Sequence, residues 1–64
     1  MNKDYRLKVY AIDGHTEVKG NWTDREYTLR GVRVAAHRAV FKNPGRVFAE
    51  IETADGNLVE RVVA

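Results

Sequence analysis

Apolar and polar residues alternate along residues 5–22 with the two-residue period of a β-hairpin. A two-residue turn at Asp13-Gly14 places Val9 opposite Val18 and Tyr5 opposite Trp22, and a type I′ turn of this kind requires φ > 0 at both central positions. Since successive strand residues point to opposite sides of a sheet, this register gives one apolar and one basic face. The apolar face contains Tyr5, Leu7, Val9, Ala11, Thr16, Val18, Gly20 and Trp22.

The middle of the chain has helical spacing instead. Its apolar positions follow i, i+3, i+7 and i+11 at Leu29, Val32, Ala36 and Val40. This stripe predicts a helix over 29–42, which Asn43-Pro44-Gly45 ends because proline disfavours helix in the residue before it. Two threonines are candidates for the N-cap, so the first residue of the helix is left open. Thr23-Asp24-Arg25-Glu26 matches a capping box, whereas Thr28 would begin the helix at 29, and Gly31 slightly favours the later start.

A second hairpin is predicted around Asp55-Gly56, with two registers open. A two-residue turn sets Glu50 opposite Arg61. A three-residue bulged loop aligns Ile51 with Val59 but sets Glu50 against another glutamate. Opposite charges favour the first register and apolar matching favours the second, with a slight preference for the bulged loop.

Two hairpins around one helix predict a single α+β domain over residues 1–64 with a ββαββ plan. The helix returns the chain to the sheet, so the third strand runs beside the first. The expected architecture is a four-stranded antiparallel sheet in the order 2-1-3-4, with the helix packed on one face.

The chain is short for a stable core. A domain of about 60 residues buries only about 60% of the surface that its unfolded chain exposes, and small domains add disulfides, metals or a partner subunit. The 64 residues include no cysteine and two isolated histidines. We therefore expect a homodimer, with no metal site and no cofactor.

The amino-terminal residues are charged, and no apolar run approaches the length of a signal peptide or a membrane span. The lack of cysteine fits a reducing compartment. These features predict a soluble cytoplasmic protein that does not associate with membranes.

Charge is unevenly distributed. Residues 23–45 carry five basic and two acidic groups, a net charge of +3, and residues 46–64 carry two basic and four acidic groups, a net charge of −2. The basic part includes Arg30 and Arg33 on the helix, and the first hairpin adds Arg6, Lys8 and Lys19 on its open face. Like charges across strands cost stability, so the predicted pair of Lys8 and Lys19 indicates an anionic ligand. Nucleic-acid binding through these five residues is one hypothesis.

The competing hypothesis is protein binding. Tyr27, Val34 and Phe41 recur every seven residues, on the side of the helix away from the core stripe. If the helix begins at 23, all three are exposed apolar groups on its outer side, and exposed apolar patches mark contacts with other proteins. The alternative is that Val34 and Phe41 pack at the flank of the core. Catalysis is not expected, because the chain has neither serine nor cysteine as a nucleophile.

Three stretches carry a family resemblance: residues 28–40, 46–51 and 54–60. Their order of threonine-capped Ala/Arg helix, short strand, Asp-Gly turn and strand resembles that of small uncharacterised ββαββ proteins of high-GC bacteria and their phages. The resemblance implies the fold and a phage or accessory role, and it transfers no site residues. Together with the missing nucleophiles it favours a small non-enzymatic interaction module that binds another protein.

Overall fold

A computed structural model describes residues 3–64 of the chain. Four strands and one helix occur in that part, in the order β1 Tyr5–Ala11, β2 Glu17–Val18, α1 Leu29–Lys42, β3 Val47–Thr53 and β4 Leu58–Val62. The strands form one sheet in the order β2-β1-β3-β4, and every neighbouring pair is antiparallel. The predicted α+β fold, with its strand order and a single packed helix, is therefore confirmed. Within residues 3–64, no helix has the length and apolar character needed to cross a membrane.

The core lies between α1 and the face of the sheet that it covers. Its buried side chains are all aliphatic: Leu7, Val9, Val32, Ala36, Ala39, Val40, Ala49, Ile51 and Val62. The predicted helix stripe supplies three of these, while Leu29 packs against the cluster and is partly buried. Alanines on both the helix and the sheet let the two layers approach closely, so the core is thin.

The helix starts at the later of the two predicted caps. Thr28 has extended backbone, and its hydroxyl accepts a hydrogen bond from the N–H of Gly31 at 3.1 Å. The alternative capping box at residues 23–26 does not cap a helix. At the other end, the N–H of Asn43 donates to the carbonyl of Val40 at 3.1 Å, and Gly45 follows in a left-handed conformation with φ 76°.

The first hairpin has the predicted register next to its turn, but the predicted type I′ turn is wrong. Gly14 has a positive φ and Asp13 does not, and the N–H of Gly14 donates to the carbonyl of Ala11 at 2.9 Å. Val9 lies opposite Val18, and the N–H of Ala11 donates to the carbonyl of Thr16 at 2.8 Å. The turn is fastened by Asp13, whose carboxylate accepts from the N–H groups of His15 and Thr16 at 2.8 and 3.1 Å. These bonds lower the pKa of Asp13, so they lose strength as the pH falls through that lowered pKa.

Further from the turn the predicted register is wrong. Strand β2 ends at Val18, and Trp22 does not pair with Tyr5. Tyr27 takes that place, with hydrogen bonds in both directions between its backbone and that of Tyr5 at 2.8 and 3.1 Å. The predicted cross-strand pair of Lys8 and Lys19 is likewise absent from the paired residues of β1 and β2.

A tight turn causes this departure. The N–H of Gly20 donates to the hydroxyl of Thr23 at 3.0 Å, and the N–H of Thr23 donates to the carbonyl of Gly20 at 3.0 Å. Trp22 folds its indole over Gly20 so closely that a Cβ there would lie 2.4 Å from the ring. Glycine is required at position 20 for this close approach.

The second hairpin follows the charge-matched register. Glu50 lies opposite Arg61 and Ile51 opposite Glu60, with an irregularity between Ile51 and Glu52. The preferred three-residue loop holds only next to the turn, where Glu52 lies opposite Leu58 and the N–H of Thr53 donates to the carbonyl of Asn57 at 2.9 Å. Its alignment of Ile51 with Val59 is wrong, because the irregularity shifts the register there. Two ion pairs account for the choice: Arg61 bonds Glu50 at 2.7 Å, and Glu60 reaches Arg33 of α1 at 3.3 Å.

Candidate functional site

The outer side of α1 and the connection before it enclose an open groove of about 950 Å³. Its apolar lining comes from Trp22 and Tyr27 on the connection and from Val34, Ala35, Ala39 and Phe41 on the helix. Two of these helix residues stand well out into solvent, since Val34 is 46% exposed and Phe41 is 58% exposed. The groove therefore combines two anchored aromatic side chains with an exposed apolar helix face.

Each wall of the groove is held by the fold. Tyr27 is fixed by its backbone pairing with Tyr5 at the end of β1, and Trp22 by its contact with Gly20. Val34 and Phe41 lie seven residues apart, two helical turns, and face away from the sheet because the opposite side of α1 is buried. The groove is thus formed before any ligand binds.

The predicted apolar stripe is only partly helical. Tyr27 lies outside α1, because the helix begins at Leu29, and it is half-buried against the core. The fold nevertheless brings Tyr27, Val34 and Phe41 to the same groove. Phe41 also stacks on His37, with ring centroids 5.7 Å apart and planes 9° from parallel.

The rim of the groove is basic. Four cationic side chains line it: Arg25, Arg30, Arg38 and Lys42. No aspartate or glutamate lines it, and none of the four forms an ion pair with any other residue of the part that the structure describes. The guanidinium of Arg25 lies over the ring of Tyr27, 5.7 Å from its centroid. The groove therefore presents uncompensated positive charge around an apolar floor.

The ion pairs of residues 3–64 all lie elsewhere. They are Lys8–Glu52 at 3.6 Å, Lys19–Glu17 at 3.1 Å, Arg33–Glu60 at 3.3 Å and Arg61–Glu50 at 2.7 Å. Three of the four are on the open face of the sheet or at its margin. Carboxylates there offset two cations of the first hairpin, Lys8 and Lys19, but not Arg6.

The five residues predicted for nucleic-acid binding do not form one surface. Arg6, Lys8 and Lys19 belong to the hairpin, whereas Arg30 and Arg33 extend from the helix that covers the other face of the sheet. Of the five, Arg30 alone lines the groove described above.

One aromatic feature escaped the sequence analysis. Tyr10 and Phe48 stack on the open face of the sheet with centroids 5.6 Å apart, and the guanidinium of Arg61 lies 5.1 Å from the centroid of Phe48. The two rings meet because Tyr10 lies opposite Phe48 in the ladder of β1 and β3. That register becomes visible only when the central strand pair is known.

Candidate metal ligands do not cluster in the part of the chain that the structure describes. Among residues 3–64, no three His, Cys, Asp or Glu side chains converge as metal ligands. No protein-family model, curated protein or solved structure matches this chain. The chemistry of the groove is therefore the guide to function.

Proposed function

We propose that this chain is a small non-enzymatic interaction module that binds another protein through the groove beside α1. The observation that carries the proposal is the exposure of Val34 and Phe41 on the same groove that Trp22 and Tyr27 line. Exposed apolar surface of this kind marks sites of association, and aromatic side chains dominate the energetics of protein interfaces. The resemblance noted above fits a module of this kind acting for a phage or an accessory element.

The decisive variant is the double substitution Val34→Asp and Phe41→Asp. We expect it to weaken binding of the protein partner about 100-fold or more, because it places two carboxylates in the desolvated centre of the contact. The partner is first identified by affinity capture and then purified, and its dissociation constant is measured by calorimetry. Both sites are exposed, so the melting temperature should change little.

Ile12→Asp is the matched control, because Ile12 is 64% exposed and lies away from the groove. It should bind the purified partner as the unaltered chain does. Equal affinity for the double variant and the unaltered chain would rule out the groove as the docking site.

Nucleic-acid binding is the alternative expectation, and the ion pairs count against its use of the open sheet face. Lys8 and Lys19 each lie within 4 Å of a carboxylate, at 3.6 and 3.1 Å. A bound phosphate would have to compete with Glu52 and Glu17 and would be repelled by them. Protein binding is the better supported function.

We further propose that the chain is a homodimer joined at β4. This strand is the long free edge of the sheet, and the exposed apolar residues Leu58, Val59 and Val63 lie along it. Unpaired edges recruit further strands. A two-fold axis at Arg61 sets Val59 of one copy opposite Val63 of the other, and Glu50 already neutralises each Arg61.

Val63→Lys tests the dimer. Val63 is 62% exposed, so a lysine is tolerated in the monomer, but it would place a charge in the paired edge. Sedimentation equilibrium should give a dimer for the unaltered chain and for Ile12→Lys, and a monomer for Val63→Lys. A dimer in all three proteins would exclude the β4 edge, and a monomer in all three would exclude the dimer.

A further inference from the structure

We infer that the groove beside α1 takes an acidic amphipathic helix of the partner protein. The inference rests on the proposed function and adds the chemistry of the partner. Its basis is the juxtaposition of four cations without ion-pair partners and an apolar, aromatic floor within one groove.

The first argument is the segregation of charge. Elsewhere in residues 3–64, Lys8, Lys19, Arg33 and Arg61 each have a carboxylate within ion-pair distance. The four rim cations of the groove have none. Outside the groove, three further cations of residues 3–64 also have none, but they do not lie together in one groove: Lys3, Arg6 and Arg46. Carboxylates of a partner would meet positive potential there, and an approaching cationic segment would be repelled.

The second argument is the spacing along α1. Arg30, Val34, Arg38 and Lys42 follow one another at intervals of four residues, so three basic groups and one apolar group lie along one line of the helix. From Arg30 to Lys42 this line extends about 18 Å, the length of about 12 helical residues. A second helix packed alongside can match it with carboxylates and apolar side chains at i and i+4.

The third argument is the opposite wall. Trp22 and Tyr27 face the helix across the groove and offer flat aromatic surface to a leucine or phenylalanine of the incoming helix. Arg25 already lies over the Tyr27 ring, 5.7 Å from its centroid, where it can bond a carboxylate at the edge of the contact.

A second copy of the chain does not supply this helix. Its acidic residues Glu50, Glu52 and Glu60 lie on the strands β3 and β4 and are ion-paired. Its own helix has no acidic residue between Leu29 and Lys42.

The test uses synthetic peptides and the fluorescence of Trp22, the one tryptophan of the chain, which lines the groove. The probe is a peptide of about 14 residues made of Glu, Ala and Leu, with Leu at i, i+3, i+4 and i+7. Three comparison ligands accompany it: the same peptide with Lys for Glu, a peptide with Ala for Leu, and single-stranded oligo(dT).

The acidic amphipathic peptide should shift the emission of Trp22 and bind at least about tenfold more tightly than any comparison ligand. Raising the salt concentration from about 0.05 M to about 0.5 M should weaken the binding of this peptide several-fold, because the rim cations are solvent-exposed. Tighter binding of oligo(dT) or of the lysine peptide would overturn the inference.

Charge reversal locates the contact. Arg30→Glu combined with Arg38→Glu should weaken the acidic peptide about tenfold or more, and Arg6→Glu, on the open face of the sheet, should leave it unchanged. An equal loss of affinity for the acidic peptide in the double arginine variant and in Arg6→Glu would overturn the inference. If Val34→Asp with Phe41→Asp abolishes binding of the purified protein partner while the double arginine variant retains it, the docking groove stands and its acidic specificity fails.

Discussion

Replacing Ile51 with alanine is expected to lower the free energy of unfolding by about 2–5 kcal/mol, the usual range for removing a large aliphatic side chain from a core. Ile51 is 0% exposed and lies on β3 between β1 and β4, opposite Leu7 and Glu60. A single core of this size supplies about 3–5 kcal/mol in total, so the variant should lose most of its stability. The cavity cannot close easily, since the neighbouring core residues Ala36 and Ala49 are already small.

Urea denaturation followed by circular dichroism measures the change, and the melting temperature should fall by about 4–8 °C for each kcal/mol lost. Ile12→Ala is the control: it removes the same side chain from the first turn, where Ile12 is 64% exposed. Loss of stability below about 1 kcal/mol for Ile51→Ala would show that the helix does not press on the sheet at this point.

The second large effect is expected at the first turn, where Gly14→Val should cost about 1–3 kcal/mol. Gly14 has φ 80°, a conformation that a β-branched side chain adopts only under strain. Nothing lies within 4 Å of a Cβ built at this position, so steric crowding does not add to the loss of stability. The variant therefore tests the backbone conformation of residue 14 alone.

Gly14→Asn separates conformation from size, because asparagine tolerates the left-handed region. Its melting temperature should remain close to that of the unaltered chain, and that of Gly14→Val should fall. Equal melting temperatures for the valine variant and the unaltered chain would mean that the turn has another conformation.

Local chemistry accounts for what the sequence predicts well. The helical spacing of the apolar residues and the N-cap together predict both ends of α1, Leu29 and Lys42, once Thr28 is chosen over the earlier cap. The Asp-Gly signal predicts the register of the strand pairs nearest to the first turn, although the turn itself is not of type I′.

The strand registers are predicted wrongly where they depend on contacts between elements that are distant in the sequence. Pairing of strands alone does not show that Glu60 would face α1 and meet Arg33, which makes the Ile51–Glu60 alignment favourable. Similarly, alternation continues through Trp22, but the hydrogen bonds between Gly20 and Thr23 turn the chain away before the ladder reaches it. Side chain–backbone bonds of this kind compete with sheet pairing and leave no trace in a period-two pattern.

The candidate site was predictable in part. The seven-residue spacing predicts the exposed helix residues Val34 and Phe41. Of the two helix arginines chosen from the sequence, Arg30 lines the groove, whereas Arg33 pairs with Glu60. The groove itself depends on the path of residues 19–28, which carries Trp22 and Tyr27 to the helix. The net charge of the groove also depends on which basic side chains form ion pairs with carboxylates, and the whole fold determines those pairs.

The two sides of α1 differ in what they contact. Val32, Ala36 and Val40 secure the fold, and Val34 and Phe41 face outward beside them. Surface substitutions away from the core usually change stability by less than about 0.5 kcal/mol. If the groove binds a partner as we propose, the outward positions of α1 can therefore change to suit a different partner while the core residues, and with them the fold, stay the same.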